Sequence, residues 1–462
     1  MKQLFIILIA TISSLAQADE RPNIILLLAD DLGWSALGCY GSTFYETPNL
    51  DRLADEGVRF TAAFSAAANC APSRASLLSG QYTPKHRVMY VGPGDYQEKY
   101  KKSNGDLKKF PMIQPRGETE LPARDTVENL AENLQASGYR TAMFGKWHLG
   151  RDENHPGQRG FDVAIESHGS HFGFHTDPEI DHPEGEYLSD FLSNQAVKFV
   201  NEGAVSDQPF FLYYADFLVH KPFEAKEAYL KHFSEKEPSE TQQSPMGAAM
   251  IKSLDDSIGK ILDALDESGQ RENTLIVFTS DNGGLSYEED GLREENTSNL
   301  PLRGRKGSEY DGGLRVPWIA SWPGQFPEGV ECDTPVHHVD LYTTFSAAAE
   351  TATPPQDLHG TNLLTLFRDP SSGLKPRNLF WYLPGYSAFH TPSVMVRNDN
   401  WKLIRHLENE EHLLFDTDSD ISESIDARSS NPELASDLNQ ATQDWLDELD
   451  APRMTPNPEY EP

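Results

Sequence analysis

Cys70-Ala71-Pro72-Ser73-Arg74 opens a run that continues as Ala75-Ser76-Leu77-Leu78-Ser79-Gly80. Proline fixes φ and suits a first helical turn, so the run predicts a helix with Cys70 at or just before its start. Free N–H groups and the helix dipole favour an anion there. Arg74 adds a planar, permanently charged fork that suits an oxyanion. A nucleophile in such a nest is equipped for transfer of a sulfuryl or phosphoryl group. A buried thiol beside a helix start fits the same five residues equally well, because free cysteine is among the most buried residue types.

Two acidic pairs stand elsewhere, Asp30-Asp31 and Asp281-Asn282, the latter followed by Gly283-Gly284. Three carboxylates and an amide oxygen that converge form a hard-oxygen site suited to Ca²⁺ or Mg²⁺. Adjacent carboxylates at a buried strand end are costly without a cation. Either pair alone reads more simply as a helix cap or a turn. Lys146 and His148 sit at i, i+2 within Gly145-Lys146-Trp147-His148-Leu149-Gly150, so on an extended turn they point the same way. His220 lies in Val219-His220-Lys221-Pro222, and Lys306 in the basic loop Arg303-Gly304-Arg305-Lys306-Gly307.

These residues share a placement. Ile24 to Ala29 is a continuous apolar run and reads as a strand buried on both faces, and Asp30 follows it directly. Tyr139–Phe144, Phe210–Ala215 and Thr274–Ser280 read as further strands, leading into Lys146, His220 and Asp281. Helices are expected over Thr126–Ser137 and Ala248–Glu267. Alternating strands and helices predict an α/β fold with a large, mostly parallel sheet flanked by helices. Ligands of such sheets gather beyond the carboxyl ends of the strands. After about residue 375 the pattern changes to short strands, Leu379–Tyr382, Ser393–Val396 and Trp401–Ile404, then a helix over Pro432–Leu449. This predicts a smaller C-terminal α+β domain with a short antiparallel sheet, and an extended tail from Ala451. The expected division is a signal peptide at 1–18, a catalytic domain at 19–375 and a C-terminal subdomain at 376–462.

The leader reading rests on Met1-Lys2-Gln3, the apolar Leu4 to Ile12 and the small residues Ala16-Gln17-Ala18. An exported protein, periplasmic or extracellular and without a membrane anchor, is the expectation. Three cysteines exclude a disulfide framework; Cys39 and Cys332 could pair, but separate buried thiols are expected. The net charge of −33, from 72 acidic and 39 basic residues, argues against nucleic acid as a partner. A polyanionic substrate needs a local basic island. Lys99, Lys101, Lys102, Lys108, Lys109 and Arg116 supply one, although a solvated loop explains them too. Ser167 to His175 holds His168, His171 and His175 with two phenylalanines, and reads as a substrate loop, a second metal site or a plain surface loop. Tyr382, Tyr386, Phe389 and His390 are further candidates to border the cleft.

Together the motifs resemble the type I sulfatases of the alkaline-phosphatase superfamily, from Arg21 to about Pro317. The family pattern C-x-P-S-R-x-x-x-L-x-T/S-G is met from Cys70 through Gly80, except that this chain has Leu77-Leu78 and then Ser79-Gly80. Pro22-Asn23-Ile24 through Asp30-Asp31-Leu32-Gly33, Gly145 through Gly150, Ser280 through Gly283 and Leu302 through Gly307 are similar to four further family motifs, in the family's order.

The resemblance implies that Cys70 is oxidised during export to formylglycine (3-oxoalanine) by a formylglycine-generating or anaerobic sulfatase-maturating enzyme. The aldehyde hydrates to a geminal diol. One hydroxyl attacks sulfur, and the other then expels sulfate from the covalent sulfo-enzyme by reforming the aldehyde. It further implies that Asp30, Asp31, Asp281 and Asn282 bind one Ca²⁺, with residue 70 as another ligand. Arg74 and Lys146 would hold the diol, and His148 would take its second proton. His220 would protonate the leaving alcohol, and Lys306 would bind the sulfate oxygens and share that duty. Many relatives desulfate sugars, so a carbohydrate sulfatase acting on a sulfated polysaccharide or its oligosaccharides is expected. A formylglycine-dependent phosphodiester or phosphonate hydrolase is the alternative within the superfamily. A non-catalytic glycan-binding protein is the alternative if Cys70 stays a thiol.

Overall fold

The computed structural model describes residues 21–91, 110–285, 298–352, 354, 356–387 and 389–461. The expected leader and Lys99 to Lys109 of the basic loop lie outside the described residues. Among the described residues, no helix is long and apolar enough to cross a membrane.

A nine-stranded sheet forms the centre. Its strands are β1 (Asn23–Ala29), β2 (Val58–Phe60), β3 (Arg140–Gly145), β4 (Val163–His168), β5 (His175–Asp177), β6 (Phe210–Ala215), β7 (Thr274–Ser280), β8 (Trp318–Ser321) and β9 (Val330–Cys332). The spatial order is β9-β2-β8-β7-β1-β6-β3-β4-β5. The five strands from β7 to β4 are parallel, while β8 and β5 run antiparallel to their inner neighbours. Every residue of β1, β6 and β7 is buried, as expected of parallel strands covered on both faces.

Alternate residues of β1 serve two cores. Ile25 and Leu27 pack against α3 (Leu188–Gly203) and α4 (Pro245–Glu267). Ile24, Leu26 and Leu28 pack on the other face, with α1 (Cys70–Ser79), α2 (Leu130–Ala136) and α5 (Val339–Ala348). Helix α2 begins four residues later than its apolar pattern suggests. Asn129 takes an extended conformation and accepts from Ala131 N and Glu132 N, while Glu132 Oε2 accepts from Asn129 N at 2.7 Å. This reciprocal capping box fixes the start of the helix.

The C-terminal region forms a four-stranded antiparallel sheet of β10 (Asn378–Leu383), β11 (Ser393–Asn398), β12 (Trp401–His406) and β13 (His412–Asp416). Strand β13 is additional to those read from the sequence. One face packs on α6 (Pro432–Glu448) through Phe380, Tyr382 and Val396. The opposite face, with Leu379, Trp381 and Met395, packs on Phe64 and Leu314 of the large domain. The tail is extended, and Thr455–Pro456 pairs with Met112–Ile113. The three cysteines are free; Cys332 is buried as expected, whereas Cys39 is half-buried.

Gly145 closes β3 and shows how tightly the strand ends are packed. It has φ +116°, and a Cβ there would lie 1.9 Å from the Ala215 carbonyl oxygen. That same oxygen accepts from Lys146 N at 2.8 Å. Gly145→Ala is therefore expected to cost more than about 2 kcal/mol, through backbone strain and the clash. The shift of the urea unfolding midpoint measures it, and an unchanged midpoint would contradict this account of the turn.

Candidate active site

The site is assembled where the parallel strands end. Asp30 and Asp31 follow β1, Lys146 and His148 follow β3, His220 follows β6, and Asp281 and Asn282 follow β7. Backbone bonds tie these ends together: Asp30 N donates to Leu218 O at 2.8 Å, and Asp281 N to Ala29 O at 3.0 Å. Successive side chains of a strand point to opposite faces. Asp31 escapes that rule through a left-handed conformation, φ +63°. Both carboxylates consequently face Cys70, whose Sγ lies 3.5 Å from Asp30 Oδ1 and 3.8 Å from Asp31 Oδ1. Cys70 is the first residue of α1, and all ten residues of that helix are buried.

Cations enclose the carboxylates. Arg74 donates through Nε to Asp281 Oδ2 at 2.8 Å and through Nη1 to the Lys146 carbonyl at 2.5 Å. Lys146 Nζ is 2.5 Å from Asp30 Oδ2, and Lys306 Nζ is 2.8 Å from Asp31 Oδ2. His220 Nε2 stands 3.8 Å from Asp31 Oδ2, with its Nδ1 2.6 Å from the Lys221 carbonyl. The sequence-derived residues Cys70, Arg74, Lys146, His220, Lys306, Asp30, Asp31, Asp281 and Asn282 are thus gathered at one place. His148 belongs to the same turn as Lys146, also with a left-handed backbone, φ +64°.

Burial and neighbours set the protonation states. Burial opposes ionisation of Asp30, but Lys146, His220, Arg74 and Lys306 hold it well below the ordinary carboxylate range. Burial, and then the negative charge of Asp30, raise Asp281 to about 6. Burial, then the cations of Lys146 and Arg74, push His148 down to about 2, so its imidazole is neutral. Burial, followed by Asp281, pushes the Cys70 thiol up, which disfavours a thiolate nucleophile.

A divalent cation fits this donor set. One ligand atom each from Asp30, Asp31, Cys70 and Asp281 lies within 4.8 Å of the others. Asn282 Nδ2 donates to Asp31 Oδ1 at 2.8 Å, while its buried Oδ1 has no hydrogen-bond partner. Buried acceptors are rarely left so, and a hard cation is a natural partner for this one.

Several supporting residues were not legible beforehand. His338 bridges the site helix to β7, with Nδ1 3.1 Å from Ser73 Oγ and Nε2 3.3 Å from Thr279 Oγ1. Asn299 brackets Gly284, accepting from its N at 3.0 Å and donating to its O at 2.9 Å. The histidine-rich segment does not converge on a metal among the described residues. His171 is buried and its Nε2 donates to the His220 carbonyl at 2.8 Å, bracing that loop. His168 instead faces Glu166, and exposed His175 faces Glu179. Tyr382 does not border the cleft: it lies in the C-terminal core and donates to the Pro452 carbonyl. Tyr386 is buried with its ring 4.5 Å from that of Phe110, and His390 Nδ1 stays near the Thr391 carbonyl. Phe389 reaches the Lys306 loop, with Arg305 stacked over its ring at 3.8 Å.

Comparison with known proteins places this geometry. The Sulfatase family model matches residues 22–351, and the model described as N-sulphoglucosamine sulphohydrolase, C-terminal, matches residues 305–448. A sulfatase of Formosa agariphila is 30% identical, over 96% of this chain and 92% of its own length. Human N-acetylgalactosamine-6-sulfatase is 35% identical, over 79% of this chain and 69% of its own. The crystal structure of Ps i-CgsB in complex with k-i-k-neocarrahexaose is similar at a TM-score of 0.76 and 29% identity, covering 92% of each chain. The chain belongs to the sulfatase family, the type I sulfatases of the alkaline-phosphatase superfamily. It is a sulfuric ester hydrolase.

Cation binding is open to a direct check. Ca²⁺ added to chelator-treated protein is expected to raise the melting temperature, and 100-fold excess over Kd corresponds to about 2.7 kcal/mol. Asp31→Asn should move the half-saturating Ca²⁺ concentration up by about tenfold or more, since a charged ligand is lost. A native protein whose melting temperature ignores Ca²⁺ would contradict the assigned donor set.

Proposed function

We propose that the chain hydrolyses sulfate monoesters on a sulfated polysaccharide or oligosaccharide, with residue 70 acting as formylglycine made from Cys70. The observation that carries this reading is the convergence of Cys70 Sγ, three buried carboxylates, the buried Arg74 and Lys146 and the partly buried Lys306 at one set of strand ends. The carbohydrate substrate is supported by the related Ps i-CgsB structure, which holds k-i-k-neocarrahexaose, and by the N-acetylgalactosamine-6-sulfatase relatives.

Ca²⁺, held by Asp30, Asp31, Asp281, Asn282 and residue 70, would supply positive charge against the oxygens of an anionic ester. The formylglycine hydrate would supply the oxygen nucleophile. Arg74, fixed by Asp281, and Lys146, fixed by Asp30, hold that side chain and stabilise negative charge on it. His148, whose buried Nδ1 has no hydrogen-bond partner, accepts the proton from its second hydroxyl. Lys306 binds sulfate oxygens, and His220 protonates the departing sugar hydroxyl through Nε2. The carboxylates and the Arg74, Lys146 and Lys306 cations balance three to three, so a divalent ion leaves net positive charge for a sulfate monoester. The leader at residues 1–18 supports export, and a maturating enzyme is the required partner for Cys70.

Mass spectrometry of the Cys70 peptide from active protein should show the aldehyde, about 18 Da below the thiol and near the thiol mass when hydrated. Cys70→Ala should abolish turnover. The native enzyme should cleave nitrophenyl sulfate much faster than nitrophenyl phosphate, and phosphate winning by a wide margin would overturn the sulfatase reading. His220→Ala should slow a sugar sulfate by about 10²-fold or more, yet slow nitrophenyl sulfate far less, because nitrophenolate leaves without a proton. Equal losses on both substrates would remove His220 from the acid role.

A further inference from the structure

Lys306 reaches Asp31 from a loop over residues 302–314 that belongs to neither sheet. Near the site the loop is held by its backbone: Lys306 N donates to Gly284 O at 3.0 Å, and Gly307 N to Ala68 O at 2.8 Å. Its base is closed by Gly312 N donating to Arg303 O at 2.7 Å. That base rests on buried charge supplied by the C-terminal region. Lys402 Nζ, from β12, donates to Asp311 Oδ1 at 2.6 Å and pairs with Glu423 Oε1 at 2.7 Å. Arg397 Nη1, from β11, is 3.3 Å from Asp311 Oδ2. Glu423 holds both ends of the base: its Oε2 accepts from Asp311 N at 2.6 Å, and its carbonyl accepts from Arg303 Nη1 at 2.9 Å. Lys402 and Glu423 are wholly buried, and Asp311 is nearly so.

Cohesion alone does not call for this cluster. The C-terminal sheet already packs Trp381, Ile404 and Phe415 against Phe64 and Leu314, and apolar packing there costs less than burying ions. An ion cluster adds direction, because hydrogen bonds and ion pairs depend on where their partners stand, as apolar packing does not. We infer that Lys402, joined to Asp311 and Glu423, is a positioning residue for Lys306: the C-terminal sheet sets where the Lys306 ammonium stands over Asp31. Lys402 touches no reacting atom and acts through the loop. The inference rests on the reading of Lys306 as a substrate-binding residue.

A double-mutant cycle separates the two. Lys306→Ala should lower kcat/KM for a sulfated oligosaccharide by about 10²-fold or more, as loss of a charge-stabilising group does. Lys402→Met should lower it by about tenfold in the native background and by less than about twofold in Lys306→Ala, since residues acting through one another are not additive. An undiminished kcat/KM in Lys306→Ala would overturn the reading of Lys306. An equal loss from Lys402→Met in both backgrounds, or no loss in the native one, would overturn the inference itself. Should Lys402→Met fail to fold, Glu423→Gln, which keeps Lys402 paired with Asp311, takes its place in the same cycle. A loss confined to the background that retains Lys306 supports the inference, and any other result overturns it.

Discussion

The controlling constraint in this molecule is the burial of Asp30, Asp31 and Asp281 within a few ångströms of one another. Carboxylates without solvent repel strongly and lose their hydration, so the surrounding chain must compensate on every side. Arg74, Lys146 and Lys306 do so from three separate segments. No one of them is replaceable by a surface charge, because screening and hydration there would weaken it. Much of the architecture beyond the sheet, from the site helix to the 302–314 loop, delivers these three cations to fixed positions.

The parallel sheet makes such a concentration possible. Neighbouring parallel strands end side by side, so residues distant in sequence become neighbours at one edge. Asp31 N donating to Asp281 Oδ1 at 3.2 Å joins positions 250 residues apart. Left-handed turns at Asp31 and His148 then redirect side chains that ordinary strand geometry would send to opposite faces. Local strain and long-range pairing act together: the turns aim the groups, and the strand ladder keeps the turns from relaxing.

The central fold was legible because its signals are local. The apolar runs of β1, β6 and β7 are continuous, and each ends in a polar residue of the site. Cys70 and Arg74 lie four residues apart on one helix, so their shared direction followed from sequence spacing. The remainder was hidden for equally physical reasons. The start of α2 depends on Asn129 and Glu132 capping each other, which periodicity does not register. His171 looked like part of a histidine cluster, but its partner is a backbone carbonyl 49 residues away. Tyr382 lies on the α6-facing side of β10, a consequence of strand alternation in a sheet whose second face was not foreseen. Lys402, between Trp401 and Leu403 in a short strand, carries no mark in the sequence of its bond to Asp311, 91 residues away.

The enclosure of α1 bears on the protein's history as well as its chemistry. Its ten residues are all buried, and Cys70 retains only 1% of its surface. A second protein cannot grasp Cys70, Pro72 and Arg74 in the finished fold without unwinding that helix and parting Arg74 from Asp281. The proposed conversion of Cys70 must therefore precede closure of the sheet around it. On that proposal, biogenesis would be a race between folding and modification. A chain that folded first would keep its thiol, sealed in a form that later exposure to a modifying enzyme would not correct.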